Sequence, residues 1–80
     1  MTLLRQALDR DPLNLLARRY FARALYYADR LEEAEAEIRQ VLALSPAYPV
    51  AHYELGRILL AQGSVTEAVA AFEAEVAPNW

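Results

Sequence analysis

The sequence lacks cysteine and lysine, and it has only two glycines and one histidine among its 80 residues. Without cysteine there is neither a disulfide framework nor a thiolate nucleophile, and a single histidine leaves little for a metal site. Two glycines are too few for a glycine-rich phosphate loop. No apolar run approaches ~18 residues, so no segment is predicted to insert into a membrane. We therefore expect no catalytic residues, no metal site and no cofactor, and we predict that the protein is not an enzyme.

Acidic residues outnumber basic ones, 11 to 8, which gives a net charge of −3 and a pI near 5.0. This balance argues against general nucleic-acid binding. The charge is also uneven, because residues 1–30 hold six arginines and three aspartates, whereas residues 31–80 hold two arginines and eight glutamates. Residues 1–10 carry charges throughout and contain no apolar segment typical of a signal peptide. We expect a cytoplasmic protein, or the soluble part of a larger one.

The sequence repeats itself with a period of 34 residues. The identical pairs at this shift include Pro12 with Pro46, Ala17 with Ala51, Arg23 with Arg57, Leu25 with Leu59, and Ala34 with Ala68. We therefore predict a single domain over residues 1–80, built from internal repeats. Residues 1–12 would be the second helix of a partial repeat, followed by repeat 1 in residues 13–46 and repeat 2 in residues 47–80.

Apolar residues recur at helical spacing in each repeat, and no segment is a candidate strand. Five helices are predicted, over residues 2–10, 14–28, 31–44, 49–62 and 65–76. Three residues support these limits. Asp29 is predicted to be the N-cap of the third helix, Pro49 to lie in the first turn of the fourth, and Gly63 to end the fourth.

The order of small and large residues in the repeats resembles the pattern of a known protein family. Repeat 2 has Leu55, Gly56 and Leu59 in its first helix, followed by Ala68 and Phe72 in its second. Together with the period of 34 residues, this pattern resembles the tetratricopeptide repeat family over the whole chain. The resemblance implies an all-α fold, a right-handed superhelical stack of antiparallel helix pairs known as an α-solenoid. It also implies a scaffold for protein interactions.

In this family the first helix of each repeat lines a concave groove. Six residues of these helices form the predicted peptide-binding site: Arg19, Arg23, Tyr26, Tyr27, Tyr53 and Arg57. Arginine supplies a planar set of donors for a carboxylate, and tyrosine supplies an amphipathic ring beside it. We therefore predict that the groove binds an extended, acidic segment of a protein partner. A second interpretation is equally open at this point, in which solvated arginines lie over partly buried tyrosines.

The last predicted helix carries an apolar stripe, which consists of Val65, Val69, Phe72 and Val76. In a longer array of repeats, such a stripe would meet the next repeat. The alternative function is therefore self-association through this stripe. The chain would then be a homo-oligomeric structural unit, or a fragment of a longer array with no ligand of its own.

Overall fold

The computed structural model of the protein describes residues 14–76. Within these residues the chain forms four α-helices and no β-strand: α1 (Leu15–Tyr27), α2 (Leu31–Leu44), α3 (Ala51–Ala61) and α4 (Val65–Val76). The predicted all-α fold is confirmed here, and the limits of α1, α2 and α4 agree with the prediction to within one residue. The predicted first helix, residues 2–10, lies outside the described residues, as does the partial repeat of residues 1–12.

Local hydrogen bonds fix both ends of α1. At its start, the Asn14 side chain accepts a hydrogen bond from the Ala17 N–H at 3.0 Å, which satisfies one of the donors that a helix N-terminus leaves free. At its end, Asp29 adopts a left-handed conformation with a φ of 63°. The Arg30 N–H then donates to the Leu25 carbonyl at 2.9 Å. This bond belongs to the Schellman motif, which satisfies carbonyls at the end of a helix.

Asp29 therefore ends α1 and does not cap α2, so its predicted role was wrong. The N-cap of α2 is Arg30, whose side chain makes no capping hydrogen bond. Gly63, one repeat after Asp29, ends α3 in the same way, with a φ of 87° and a hydrogen bond from the Ser64 N–H to the Leu59 carbonyl at 2.9 Å. The predicted role of Gly63 is confirmed. Aspartate can replace glycine in this turn because it tolerates the left-handed conformation better than most residues do.

The start of α3 differs from the prediction, which placed Pro49 in the first turn. Val50 has a positive φ of 71°, a conformation that β-branched residues rarely adopt. This conformation interrupts the helix, and α3 begins at Ala51. Pro49 lies instead in a turn that is closed by a hydrogen bond from the Ala51 N–H to the Tyr48 carbonyl at 3.3 Å.

A carboxylate from α4 caps the start of α3. The Glu75 side chain accepts hydrogen bonds from the Val50 N–H at 3.2 Å and from the Tyr53 N–H at 3.4 Å. The helix dipole favours a negative charge at this position. The first helix of repeat 2 thus obtains its cap from the second helix of the same repeat.

The helices pack in chain order, α1 on α2, α2 on α3 and α3 on α4, and α1 also contacts α3. Apolar residues from all four helices form one buried core: Ala17, Phe21, Ala22, Leu25, Ala34, Ile38, Val41, Ala51, Leu55, Ile58, Leu59, Ala68 and Ala71. At the α3–α4 contact, a methyl group on Gly56 would lie only 2.6 Å from Phe72 Cε1, so glycine permits this close approach. No helix of residues 14–76 is long and apolar enough to cross a membrane.

Candidate functional site

The contact between α1 and α3 brings the six groove residues predicted from the sequence into two neighbouring clusters. The first contains Tyr26, Tyr27, Tyr53 and Arg57, and we call it the tyrosine–arginine cluster. The second contains Arg19 and Arg23, joined by Glu54, and we call it the ion-pair cluster. Both clusters combine residues of α1 with residues of α3, so each depends on the packing of repeat 1 against repeat 2.

In the tyrosine–arginine cluster, the Arg57 guanidinium lies against three aromatic rings. Its Cζ atom is 4.8 Å from the ring centroid of Tyr26 and 5.8 Å from the centroids of both Tyr27 and Tyr53. The rings of Tyr26 and Tyr27 meet edge to face, with their centroids 5.3 Å apart. A cation over an aromatic ring is attracted by the ring quadrupole. The rings therefore restrict where the guanidinium can lie.

A hydrogen bond ties Arg57 to one of these tyrosines. Arg57 Nη2 donates to the Tyr27 hydroxyl at 3.3 Å. This bond, together with the positive charge of Arg57, lowers the pKa of the Tyr27 hydroxyl. The same bond raises the pKa of Arg57, and an arginine guanidinium is charged at every physiological pH even without such a bond. Among the arginines of residues 14–76, only Arg57 has no carboxylate within ion-pair distance.

The ion-pair cluster is arranged differently, because its arginines already hold a carboxylate. Glu54 Oε1 accepts hydrogen bonds from Arg19 Nη1 at 2.5 Å and from Arg23 Nη2 at 3.2 Å. Only 6% of Glu54 is exposed, and the side chains of Arg19 and Arg23 are 13% and 44% exposed. Both guanidinium groups also lie over the Tyr20 ring, at 5.1 Å and 5.5 Å.

Sequence reasoning did not find Glu54 or Tyr20 as members of this surface. The sequence did contain a signal for Glu54. Arg19 and Arg23 are like charges one helical turn apart, and a nearby carboxylate would offset their repulsion. The carboxylate that supplies this charge lies on α3, on the side that meets α1. A narrow pocket separates the two clusters; its volume of about 10 Å³ admits one water-sized group.

A family comparison agrees with this architecture. The model for the tetratricopeptide repeat matches residues 2–49 and, in a second, overlapping match, residues 21–80. The chain belongs to the tetratricopeptide repeat family. Tetratricopeptide repeats are generally protein–protein interaction modules without catalytic activity. A search of curated proteins gives no significant match.

The apolar stripe predicted on the last helix of this tetratricopeptide repeat chain is divided in the structure. Val65 and Val69 are exposed on α4, whereas Phe72 is partly buried and packs against the core. Its ring lies over Gly56 and 5.7 Å from the ring of Tyr53. This placement corrects the expectation that Phe72 faces outward, because the space that Gly56 leaves open lies inside the repeat. The side chain of Val76 lies outside the described part of the chain.

The tetratricopeptide repeat scaffold thus presents two surfaces of different character. Between α1 and α3 it presents tyrosine rings and arginines, and on α4 it presents exposed valines. Within residues 14–76, no three histidine or acidic side chains are grouped in a way that could hold a metal ion. The surface between α1 and α3 offers a ligand hydrogen-bond donors, positive charge and aromatic rings.

Proposed function

We propose that the surface between α1 and α3 binds an extended, acidic peptide segment of a protein partner. The observation that carries this proposal is the state of Arg57. This residue is a charged donor held against three tyrosine rings, and it has no carboxylate partner within residues 14–76. A planar guanidinium in a fixed position is well suited to a carboxylate, which it can bind through two parallel hydrogen bonds.

The residues around Arg57 suit the apolar parts of such a peptide. Tyr27 is 68% exposed. Tyr53 and Leu60, which are close to Arg57 in the sequence of α3, are also exposed. Tyrosine combines a large apolar surface with a polar tip, and it is enriched at interfaces for this reason. A ligand with an apolar side chain next to a carboxylate could therefore bind Arg57 through the carboxylate and the tyrosine rings through the apolar side chain. In this proposal the surface is the inner side of a right-handed superhelix, as the family resemblance implies.

A binding experiment tests the proposal with a defined probe, a short capped peptide that carries one aspartate between two leucines. Its affinity for the parent protein and for Arg57→Gln is measured by calorimetric titration. We expect Arg57→Gln to weaken binding about tenfold or more, because a hydrogen bond to a charged group contributes about 1.5–3 kcal/mol. Affinity for the parent should also fall as salt rises, because an exposed ion pair is screened.

Arg39→Gln is the matched control, since it removes the same charge outside the groove. Arg39 lies on α2, where it pairs with Glu35 at 2.7 Å. This variant should bind the peptide within about twofold of the parent, because a surface ion pair far from the ligand contributes little. Equal losses in Arg57→Gln and Arg39→Gln would show that binding follows net charge alone, and the groove would then not be the site.

The alternative function is self-association through α4. Its support within the described residues is the exposure of Val65 and Val69. Phe72, which would have been the largest residue of that surface, packs inside the repeat. Two exposed valines of the stripe remain among the described residues, whereas a stable interface usually involves about 20–30 residues on each side, and we therefore favour peptide binding.

A further inference from the structure

We infer that Glu54 determines the specificity of the groove by occupying Arg19 and Arg23 from within, so that the groove accepts a ligand with one acidic group, at Arg57. This inference rests on the proposed function and adds to it the class of ligand. Glu54 is in effect a built-in carboxylate ligand for two of the three groove arginines. Ligands with several adjacent acidic groups would then gain little over ligands with one.

The geometry of Glu54 supports this role. A single oxygen, Oε1, accepts hydrogen bonds from both arginines, at 2.5 Å from Arg19 Nη1 and 3.2 Å from Arg23 Nη2. The other oxygen, Oε2, is buried and has no hydrogen-bond partner within residues 14–76. The negative charge of Glu54 is therefore balanced by these two arginines alone among the described residues.

Burial makes this internal ligand difficult to displace. With 6% of its surface exposed, Glu54 would be left as an uncompensated charge in a poorly solvated position if a ligand carboxylate removed its partners. Breaking a buried pair by removing one partner is strongly unfavourable. Glu54 also loses no translational freedom when it pairs with the arginines, whereas an incoming ligand does. A ligand carboxylate therefore competes poorly for Arg19 and Arg23.

Arg57 provides the contrast within the same groove. Its neighbours are three tyrosines, and no carboxylate of residues 14–76 lies within ion-pair distance. A ligand carboxylate can approach Arg57 without displacing an internal anion. The groove thus offers one open position for an acidic group, beside two that Glu54 has closed.

Two capped peptides test the inference: one carries a single aspartate between two leucines, and the other carries three consecutive aspartates between the same leucines. For the parent protein, we expect the two affinities to agree within about threefold, because one ion pair serves both ligands. This measurement needs no variant. A parent protein that binds the triply acidic peptide about tenfold or more tightly would overturn the inference, while the proposed function would stand.

The variant Glu54→Gln removes the internal charge and keeps the shape of the side chain. We expect its affinity for the triply acidic peptide to rise at least about fivefold, because two charged donors become available to the ligand. Its affinity for the singly acidic peptide should change much less, and the salt dependence for the triply acidic peptide should become steeper. A thermal unfolding curve establishes that the variant is folded at the temperature of the titration.

Glu67→Gln is the matched control, because it makes the same change of net charge on an exposed residue of α4. It should leave the ratio of the two peptide affinities unchanged. An equal rise in Glu54→Gln and Glu67→Gln would overturn the inference, since the effect would then come from net charge. If the parent protein binds neither peptide, both the inference and the proposed function fail. If Arg57→Gln weakens binding but Glu54→Gln leaves the ratio unchanged, only the inference fails.

Discussion

Repeat 1 and repeat 2 follow the same 34-residue register, and they bury five of the same positions, three with identical residues and two with different ones. Five pairs of equivalent residues are buried in both: Ala17 and Ala51, Phe21 and Leu55, Ala22 and Gly56, Leu25 and Leu59, and Ala34 and Ala68. Where repeat 1 has Ala22 and Ile38, repeat 2 has Gly56 and Phe72. Gly56 is smaller than Ala22, and Phe72 is larger than Ile38. The two differences partly cancel, so the combined side-chain volume at the helix contact changes less than the volume of either side chain, as close packing requires.

The groove shows a second difference between the repeats. Arg23 of repeat 1 and Arg57 of repeat 2 occupy equivalent positions, but Arg23 contacts Glu54, whereas Arg57 contacts tyrosine rings. The difference arises from the position of each arginine, because Arg23 lies on α1 and meets Glu54 of α3, whereas Arg57 lies on α3 and meets Tyr26 and Tyr27 of α1. Identical residues in a repeat protein can therefore have different roles, since each receives its neighbours from the adjoining repeat.

Gly56→Leu is expected to have the largest effect on the packing of repeat 2. A side chain at this position meets the Phe72 ring, because even a methyl group would lie 2.6 Å from Phe72 Cε1. We expect a loss of about 1–3 kcal/mol in the free energy of unfolding, which is the usual cost of overpacking. Chemical denaturation of the parent and the variant measures it.

A double variant that copies the repeat 1 pair into repeat 2 serves as the control for this contact. Gly56→Ala combined with Phe72→Ile should be more stable than the sum of the two single changes predicts, because the smaller side chain makes room for the methyl group. Strictly additive effects would show that the Phe72 ring is not what limits the size of residue 56.

A smaller effect is expected from Glu75→Ala, which tests the cap that α4 supplies to α3. The residue of repeat 1 equivalent to Glu75 is Val41, which is completely buried. Removing the Glu75 carboxylate takes the acceptor from the N–H groups of Val50 and Tyr53, and it should lower the free energy of unfolding by about 1 kcal/mol.

Glu73→Ala is the matched control for the cap, because Glu73 is exposed on the same helix. Thermal or chemical denaturation should give a change of less than about 0.5 kcal/mol for this variant. If the two alanine variants lose equal stability, the hydrogen bonds of Glu75 do not stabilise the start of α3.

The smallest expected effect, and one of opposite sign, is that of Val50→Gly. Glycine adopts the positive φ of residue 50 without strain, so we expect a gain of about 0.5 kcal/mol, the strain relieved less the extra entropy that glycine loses on folding. Leu16 is the equivalent residue of repeat 1 and lies within α1. Leu16→Gly should instead cost about 1 kcal/mol, and a loss of stability in both variants would contradict the assigned strain.

The sequence predicts most of the described fold, because each helix has a regular apolar stripe and the period brings equivalent small residues together. The start of α3 was not predictable in this way, since a left-handed valine contradicts local preference. Long-range contacts, such as the cap that Glu75 provides from α4, compete with local preference here. Propensities describe a residue and its sequence neighbours, and they carry no information about a carboxylate that arrives from another helix.

The sequence indicated that six residues of the candidate site lie on facing helices, but it indicated neither Glu54 and Tyr20 nor the pairing of the arginines. Arginine and tyrosine at helical spacing indicated which faces of α1 and α3 form a surface. That Glu54 would pair with Arg19 and Arg23, and that Arg57 would lie among tyrosines, depends on how far one helix is displaced along the other. This displacement is set by the packing of the core, which a pattern along one helix does not contain.

The position of α3 has a consequence for how the chain opens. This helix contacts each of the other helices of residues 14–76, and the pairs of Glu54 join it to α1. Unfolding repeat 1 alone would expose the side of α3 that α1 and α2 cover. Unfolding repeat 2 alone would remove the contacts that α3 makes with α1 and α2. The described part of the chain should behave as one cooperative unit, and the backbone amides in the middle of α3 should exchange their hydrogens with solvent only when the whole unit opens.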